Sequence, residues 1–173
     1  SDLPAGLNLS IGGMPYLTTD TGGFFRPSDQ YSSPEYNRLL VRWFEYSTFC
    51  PILRIHGYKT ETEMWKWPLS YKYLLLYDNF RYRMLPHVYS EAWRVTNRND
   101  TLMRPLVMDF PGDRNVDNIG DQFMFGSAFL VAPVTSSVDR RSVYLPAGGK
   151  WINFWTGQSI GGSRHLEVSA PLQ

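Results

Sequence analysis

Residues 12–25 read Gly12-Gly13-Met14-Pro15-Tyr16-Leu17-Thr18-Thr19-Asp20-Thr21-Gly22-Gly23-Phe24-Phe25. β-Branched and aromatic residues behind a Gly-Gly break predict a short strand over 14–19. The strand ends at Asp20, and two glycines after it predict a tight loop. Downstream, Ser32 and Glu35 have capping-box spacing and Pro34 suits a first helical turn. Tyr36, Leu39, Leu40, Trp43, Phe44 and Ser47 follow as a stripe at helical spacing. Phe49-Cys50-Pro51 stops that helix. Ile52-Leu53-Arg54-Ile55 reads as a second short strand, ended by His56-Gly57. Strand, loop and helix repeated in this order are the rhythm of a parallel α/β fold.

A long helix is expected from about Tyr71 to Asn97, kinked at Pro86. It is apolar on most sides, so much of it should be buried. The character changes after Asn99-Asp100. Strands are expected over Leu102–Phe110, Phe123–Phe125 and Ala128–Val134. A hairpin is expected between Ser142–Leu145 and Lys150–Trp155, across Pro146-Ala147-Gly148-Gly149. The chain therefore reads as α/β followed by all-β, with the boundary near residue 101: residues 1–101 and 102–173. Two strand–helix units cannot close a barrel, which needs eight and typically ~250 residues.

Composition bounds the function. Hydrophobic residues make up 43% of the 173, which suits a packed core. The formal charge of +1 comes without any Lys/Arg run, so nucleic acid is not an expected partner. No apolar stretch approaches the ~18 residues of a membrane span. The opening Ser1-Asp2-Leu3-Pro4-Ala5-Gly6 lacks the features of a signal peptide. Cys50 is the single cysteine, so no internal disulfide or Cys-rich metal site forms, and it reads as buried filler. Aromatic residues are 16% of the chain, enough for a core and also for stacking on sugar faces.

Asp20 and the pair Arg54/His56 each follow a predicted strand, where α/β barrels carry their active sites. On spacing alone, two readings stand level: a shared pocket, or Asp20 capping a turn with Arg54 as its partner. His87 reads as packing beside Pro86, and His165 as part of a polar loop. Asp109, Asp113, Asp117 and Asp121 do not have the spacing of a calcium loop and read as a solvated turn.

The run Gly13 to Phe24 resembles the GIPYWTTDIGGF segment of glycoside hydrolase family 31. Arg42-Trp43-Phe44 and Phe49 through Gly57 resemble that family's next strand. Arg81 through Tyr89 resembles its R-Y-x-L-L-P-Y-x-Y helix. Arg104-Pro105-Leu106, Asp109-Phe110-Pro111, Gln122 through Gly126, Leu130 through Val134 and Val143 through Pro146 resemble the β-domain after its barrel. The resemblance runs in order along essentially the whole chain. It implies the last two βα units of a (β/α)8 barrel followed by part of a β-sandwich.

It also implies a retaining α-glycosidase that needs no cofactor or metal and takes an α-linked oligosaccharide or glycoside. His56 would hydrogen-bond a ring hydroxyl, Asp20 would hold the polar network, Phe24 would wall the pocket, and Arg54 would anchor the network. Thr21 and Leu17 depart from the usual Ile and Trp. Neither change is expected to touch a polar role, and Leu17 is expected to loosen the pocket wall. The family's nucleophile lies on an earlier strand, and its acid/base shortly before the point where this sequence begins. Neither has a match here, since Asp2 lacks the surrounding Trp-x-Gly-Asp pattern. The chain also stops, at Ala170-Pro171-Leu172-Gln173, before the β-domain's expected final strands. No catalytic residue is therefore expected in these 173 residues. Phe24-Phe25-Arg26-Pro27, Leu40 through Phe44 and His56-Gly57 look more like the family's α-xylosidases than its α-glucosidases. An α-glucosidase is the near alternative. A non-catalytic sugar-binding module or a structural fragment stands behind both.

Overall fold

The structure is a computed structural model and describes residues 2–172. Ser1 and Gln173, the ends of the two terminal stretches read above, lie outside the described residues.

Four helices form the first part: α1 (Asp2–Ile11), α2 (Pro34–Thr48), α3 (Tyr71–Arg83) and α4 (Leu85–Arg98). Helix α1 was not anticipated. It ends at the Gly12-Gly13 break, and its Leu3 and Leu7 are buried. The cap of α2 is Ser33, one residue after the expected Ser32, and its hydroxyl accepts from the Tyr36 amide at 3.2 Å. Pro34 occupies the first turn, where a missing amide hydrogen costs nothing. Tyr36, Leu40, Phe44 and Ser47 are buried as the stripe predicts, but Leu39 faces solvent.

The single long helix is a correction. It breaks at Met84 into α3 and α4, because Pro86 lacks an amide hydrogen and clashes with the preceding turn. Its expected burial is a correction too. Leu75, Leu76, Leu85, Tyr89 and Trp93 are exposed. The described chain supplies packing partners for one side of a helix pair that is apolar on several.

The strands over 14–19 and 52–55 do not form. The two stretches run side by side, joined by an isolated parallel bridge between Thr21 and Ile55 and by the Ile52 amide donating to the Leu17 carbonyl at 3.2 Å. A parallel ladder is slanted and less stable per residue than an antiparallel one. Among the described residues each stretch has only the other as a β-neighbour, so pairing is sparse, yet the parallel direction is kept.

The second part is antiparallel. β1 (Met103–Pro105), β2 (Phe123–Phe125) and β3 (Phe129–Val131) form a meander in the order β1-β2-β3. The strand expected over 102–110 stops at Pro105 and gives way to a helical turn, α5 (Leu106–Asp109). That turn carries Asp109 back to Arg104, at 2.5 Å. An extended chain would hold the two about 16 Å apart. The expected hairpin is also corrected. β4 (Arg140–Leu145) pairs with β7 (Arg164–Ser169), and β5 (Lys150–Ile152) pairs with β6 (Ser159–Gly161). His165 therefore lies on a strand, with its ring 4.8 Å from that of Tyr144.

One core joins the two parts. Leu3 and Leu7 of α1, Leu17, Tyr46, Cys50 and Val95 pack with Leu102, Met103, Phe123, Phe125 and Val131. Ser10 Oγ lies 2.6 Å from Thr101 Oγ1 and donates to the Met103 carbonyl. A second core holds Tyr36, Leu40, Phe44, Trp67, Leu74 and Tyr77 between α2 and α3. His87 packs against the Phe125 and Phe129 rings, as the packing reading expects.

Candidate functional site

Alternation along an extended segment sends successive side chains to opposite faces. Thr19 and Thr21 are buried and turn toward α2. Thr21 Oγ1 donates to Ser47 Oγ at 2.7 Å, and Trp43 Nε1 donates to Thr19 Oγ1 at 2.9 Å. Asp20, between them, projects to the other face. The second segment behaves alike. Leu53 and Ile55 pack against the second core, while Arg54 and His56 are exposed. Asp20 and Arg54 thus share one face, with Arg54 Nη2 2.7 Å from Asp20 Oδ1. Thr21 has a polar role that the sequence reading did not give it. Leu17, expected near the pocket wall, is buried in the core beside α1.

The turn after Asp20 depends on glycine. Gly22 and Gly23 have φ of 86° and 90°, a region costly for other residues. A Cβ on Gly22 would sit 2.8 Å from Leu40 Cδ1 and 3.0 Å from the Tyr36 hydroxyl. The turn sends Phe24 across to the second segment, where its ring centroid lies 5.4 Å from that of His56. The Tyr58 amide donates to the Phe24 carbonyl at 2.7 Å and locks the two loops together.

Two arginines hold this arrangement. Arg26 donates through Nε to Gly23 O at 2.9 Å, and through Nη2 to Thr21 O at 2.7 Å and His56 O at 3.1 Å. Its guanidinium lies 5.1 Å over the Trp67 ring, and burial pulls its pKa down. A Cβ on Gly57 would meet Thr60 and Arg26, so the second loop passes close against this anchor. Arg81 is buried. Its Nη1 donates to the carbonyls of Thr48 and Cys50, and its Nη2 to that of Pro51, so it caps the end of α2 and fixes the entry to the Arg54 segment. Sequence reasoning gave neither arginine a role. Arg81 stood inside a family motif, whereas nothing in spacing marks Arg26.

Burial pushes the Cys50 thiol up to about 12, which suits filler and not a nucleophile. Asp113 differs from a solvated turn. It is buried, accepting from the Tyr144 hydroxyl at 2.8 Å, the Ala147 amide at 2.9 Å and the Asn115 amide at 3.1 Å. Among the described residues, no group of three or more His, Cys, Asp or Glu could hold a metal ion. No helix of the described residues is long and apolar enough to cross a membrane. A cavity of about 410 Å³ lies elsewhere, between α1, α2 and residues 133–137. Its lining includes Asp2, Arg38, Trp43 and Tyr46, and none of the four candidate residues.

An exposed ion pair such as Asp20–Arg54 adds only ~0–1 kcal/mol of stability. Its chemistry is of more consequence. A carboxylate fixed by a guanidinium accepts hydrogen bonds, and an imidazole carries one donor and one acceptor nitrogen when neutral. Sugar hydroxyls offer both functions, and an aromatic ring offers an apolar face to a pyranose.

Two parallel segments carrying Asp20, Arg54 and His56, flanked by helices and joined to an antiparallel unit, define a class: an α/β part followed by an all-β part. Comparison with known proteins narrows it. The model of the glycosyl hydrolases family 31 TIM-barrel domain matches residues 1–91, and that of the glycosyl hydrolase family 31 C-terminal domain matches 99–173. This chain belongs to glycosyl hydrolase family 31. Among curated relatives, an alpha-xylosidase of Saccharolobus solfataricus is 47% identical over 174 residues, covering 99% of this chain and 24% of the relative. Alpha-glucosidase 2 of Bacillus thermoamyloliquefaciens is 32% identical, covering 99% and 21%. The crystal structure of a family 31 alpha-xylosidase from Xanthomonas citri superposes with a TM-score of 0.92 at 38% identity, covering 99% of this chain and 20% of that one. The chain spans between a fifth and a quarter of the length of these two curated relatives.

Proposed function

We propose that these 173 residues are the last two βα units of a (β/α)8 barrel, residues 1–101, with the start of the β-sandwich domain, 102–173, of a retaining α-xylosidase. Asp20, Arg54 and His56 hold the sugar being released, with Phe24 as wall. The observation that carries this reading is the Asp20–Arg54 pair and the Phe24–His56 contact. In such a reaction a carboxylate attacks the anomeric carbon while an acid protonates the departing oxygen. A glycosyl-enzyme forms, and water then cleaves it with the same acid acting as base. The two carboxylates lie outside these residues. His56 donates to a ring hydroxyl, Asp20 accepts from the same hydroxyl network, and Arg54 orients Asp20. Xylose is favoured over glucose by the flanking residues 24–27, 40–44 and 56–57, and by the 47% identity to an alpha-xylosidase.

Turnover of 4-nitrophenyl α-D-xyloside and α-D-glucoside tests the proposal, in the whole enzyme and in the 173-residue chain alone. The whole enzyme should prefer the xyloside by kcat/KM. The isolated chain should hydrolyse neither, because losing a coupled catalytic set costs ~10⁴–10⁶ in rate. Preference for the glucoside would overturn the xylose assignment. Turnover that tracks with the isolated chain would overturn the placement of the catalytic groups outside it.

A further inference from the structure

Beyond the four candidate residues, an aromatic surface continues outward from the same site. The Phe24 ring lies 5.4 Å from His56, 4.9 Å from Phe25 and 5.9 Å from Tyr58, and Phe25 and Tyr58 lie 5.8 Å apart. Exposure rises along this run, from 36% for Phe24 to 51% for Tyr58 and 80% for Phe25. A single exposed ring needs no explanation. Three neighbouring exposed rings beside a polar site are a feature that a ring-shaped ligand fits.

We propose that Phe25 and Tyr58 bind the leaving group of the substrate, the sugar ring or aryl group on the far side of the glycosidic oxygen. The proposal rests on the function assigned above, since it places the leaving group relative to His56. The loops that carry the rings are tied together. The Tyr58 amide is bonded to the Phe24 carbonyl, and Arg26 ties the Phe25 loop to the His56 carbonyl. Lys59, next to Tyr58, sits at φ 47°, a strained conformation that recurs at ligand clamps. Rings on tied loops lose less entropy on binding. Their chemistry selects a flat or pyranose ligand. The apolar C–H face of a sugar packs on aromatic faces, an aryl group stacks edge-to-face or offset, and the Tyr58 hydroxyl can exchange a hydrogen bond with a sugar hydroxyl.

The test compares two substrates of the whole enzyme that share one transferred sugar: 4-nitrophenyl α-D-xyloside and α-D-xylosyl fluoride. Glucosyl counterparts serve if glucose is the sugar accepted. The fluoride leaving group is one atom and cannot reach the rings. Phe25→Ala and Tyr58→Ala should each lower kcat/KM for the aryl substrate about tenfold, mainly through KM, as loss of one aromatic contact implies. The fluoride should change by less than about twofold. Phe25→Leu, which keeps an apolar side chain, should fall between the two. Equal losses on both substrates with a lowered Tm would show that the rings pack against another part of the enzyme, and would overturn the proposal. So would unchanged kinetics on both. His56→Ala separates the two readings, because it should impair both substrates. Unchanged kinetics there would sink the site assignment itself.

Discussion

Gly22 has no room for a side chain and no freedom to lose its backbone angle. An alanine there would need a φ near 86° and would press its Cβ within 2.8 Å of Leu40, which is fully buried. Gly22→Ala should therefore cost ~1–3 kcal/mol of stability, read as a lowered Tm. It should also lower kcat/KM in the whole enzyme, because the turn that carries Phe24 to His56 would shift. An unchanged Tm would show that the loop relaxes without cost. The glycine pair was legible in the sequence, since Gly-Gly after a polar residue has few other uses. Asp20, Arg54 and His56 were legible too, from their places at the ends of two extended stretches. Of the two readings of the first pair, the structure shows the pairing of Arg54 with Asp20, and the shared pocket belongs to the proposal. Arg26, Phe25 and Tyr58 were not legible as a group. Their positions depend on contact between two loops thirty residues apart, which no local spacing encodes.

The β-domain turns on one buried carboxylate. Hydrogen bonds from the Ala147 amide, the Tyr144 hydroxyl and Asn115 hold Asp113 down to about 2, from an ordinary value of 3.8. A depressed carboxylate stabilises the fold above its unfolded pKa, and that stability is lost as pH falls through the folded value. The contribution is complete above roughly pH 4 and should disappear between about pH 4 and 2. Asp113→Asn should lower Tm at pH 6 and flatten the dependence of Tm on pH across that window. An undiminished slope would assign the acid sensitivity to other groups. The same region shows why pairing escaped a reading by proximity. β4 and β5 are neighbours in sequence and suggest a hairpin. Yet the Gln122 side chain accepts from the Tyr144 amide at 2.8 Å and donates to its carbonyl at 2.8 Å, so a side chain occupies one edge of β4. β4 then pairs with β7, nineteen residues on. Helix α2 was easier to read because its period is local, whereas α1 was missed and the kink expected at Pro86 is a break at Met84.

One hydrophobic core runs from α1 through Tyr46 to Phe123 and Val131, so the α/β and all-β parts fold against each other across the proposed boundary at 101. The exposed apolar residues of α3 and α4 lie on the same chain as the groups proposed to face the substrate, and the proposal places the two carboxylates outside these residues. Both agree with a chain that spans 24% of the length of the Saccharolobus alpha-xylosidase. The sequence conveyed this organisation through the order of its motifs. It conveyed the strands less well, because a barrel strand owes its ladder to neighbours on both sides. The central claim is that His56 holds the sugar. It is tested most directly by kcat/KM of His56→Ala in the whole enzyme, on 4-nitrophenyl α-D-xyloside, alongside its Tm. Loss of a hydrogen bond to a substrate hydroxyl is worth ~1–3 kcal/mol, or roughly 5- to 150-fold in kcat/KM. Tm should stay unchanged, since the side chain is exposed. A kcat/KM within twofold of the parent enzyme would contradict the account, as would a fall in activity that merely follows a fall in Tm.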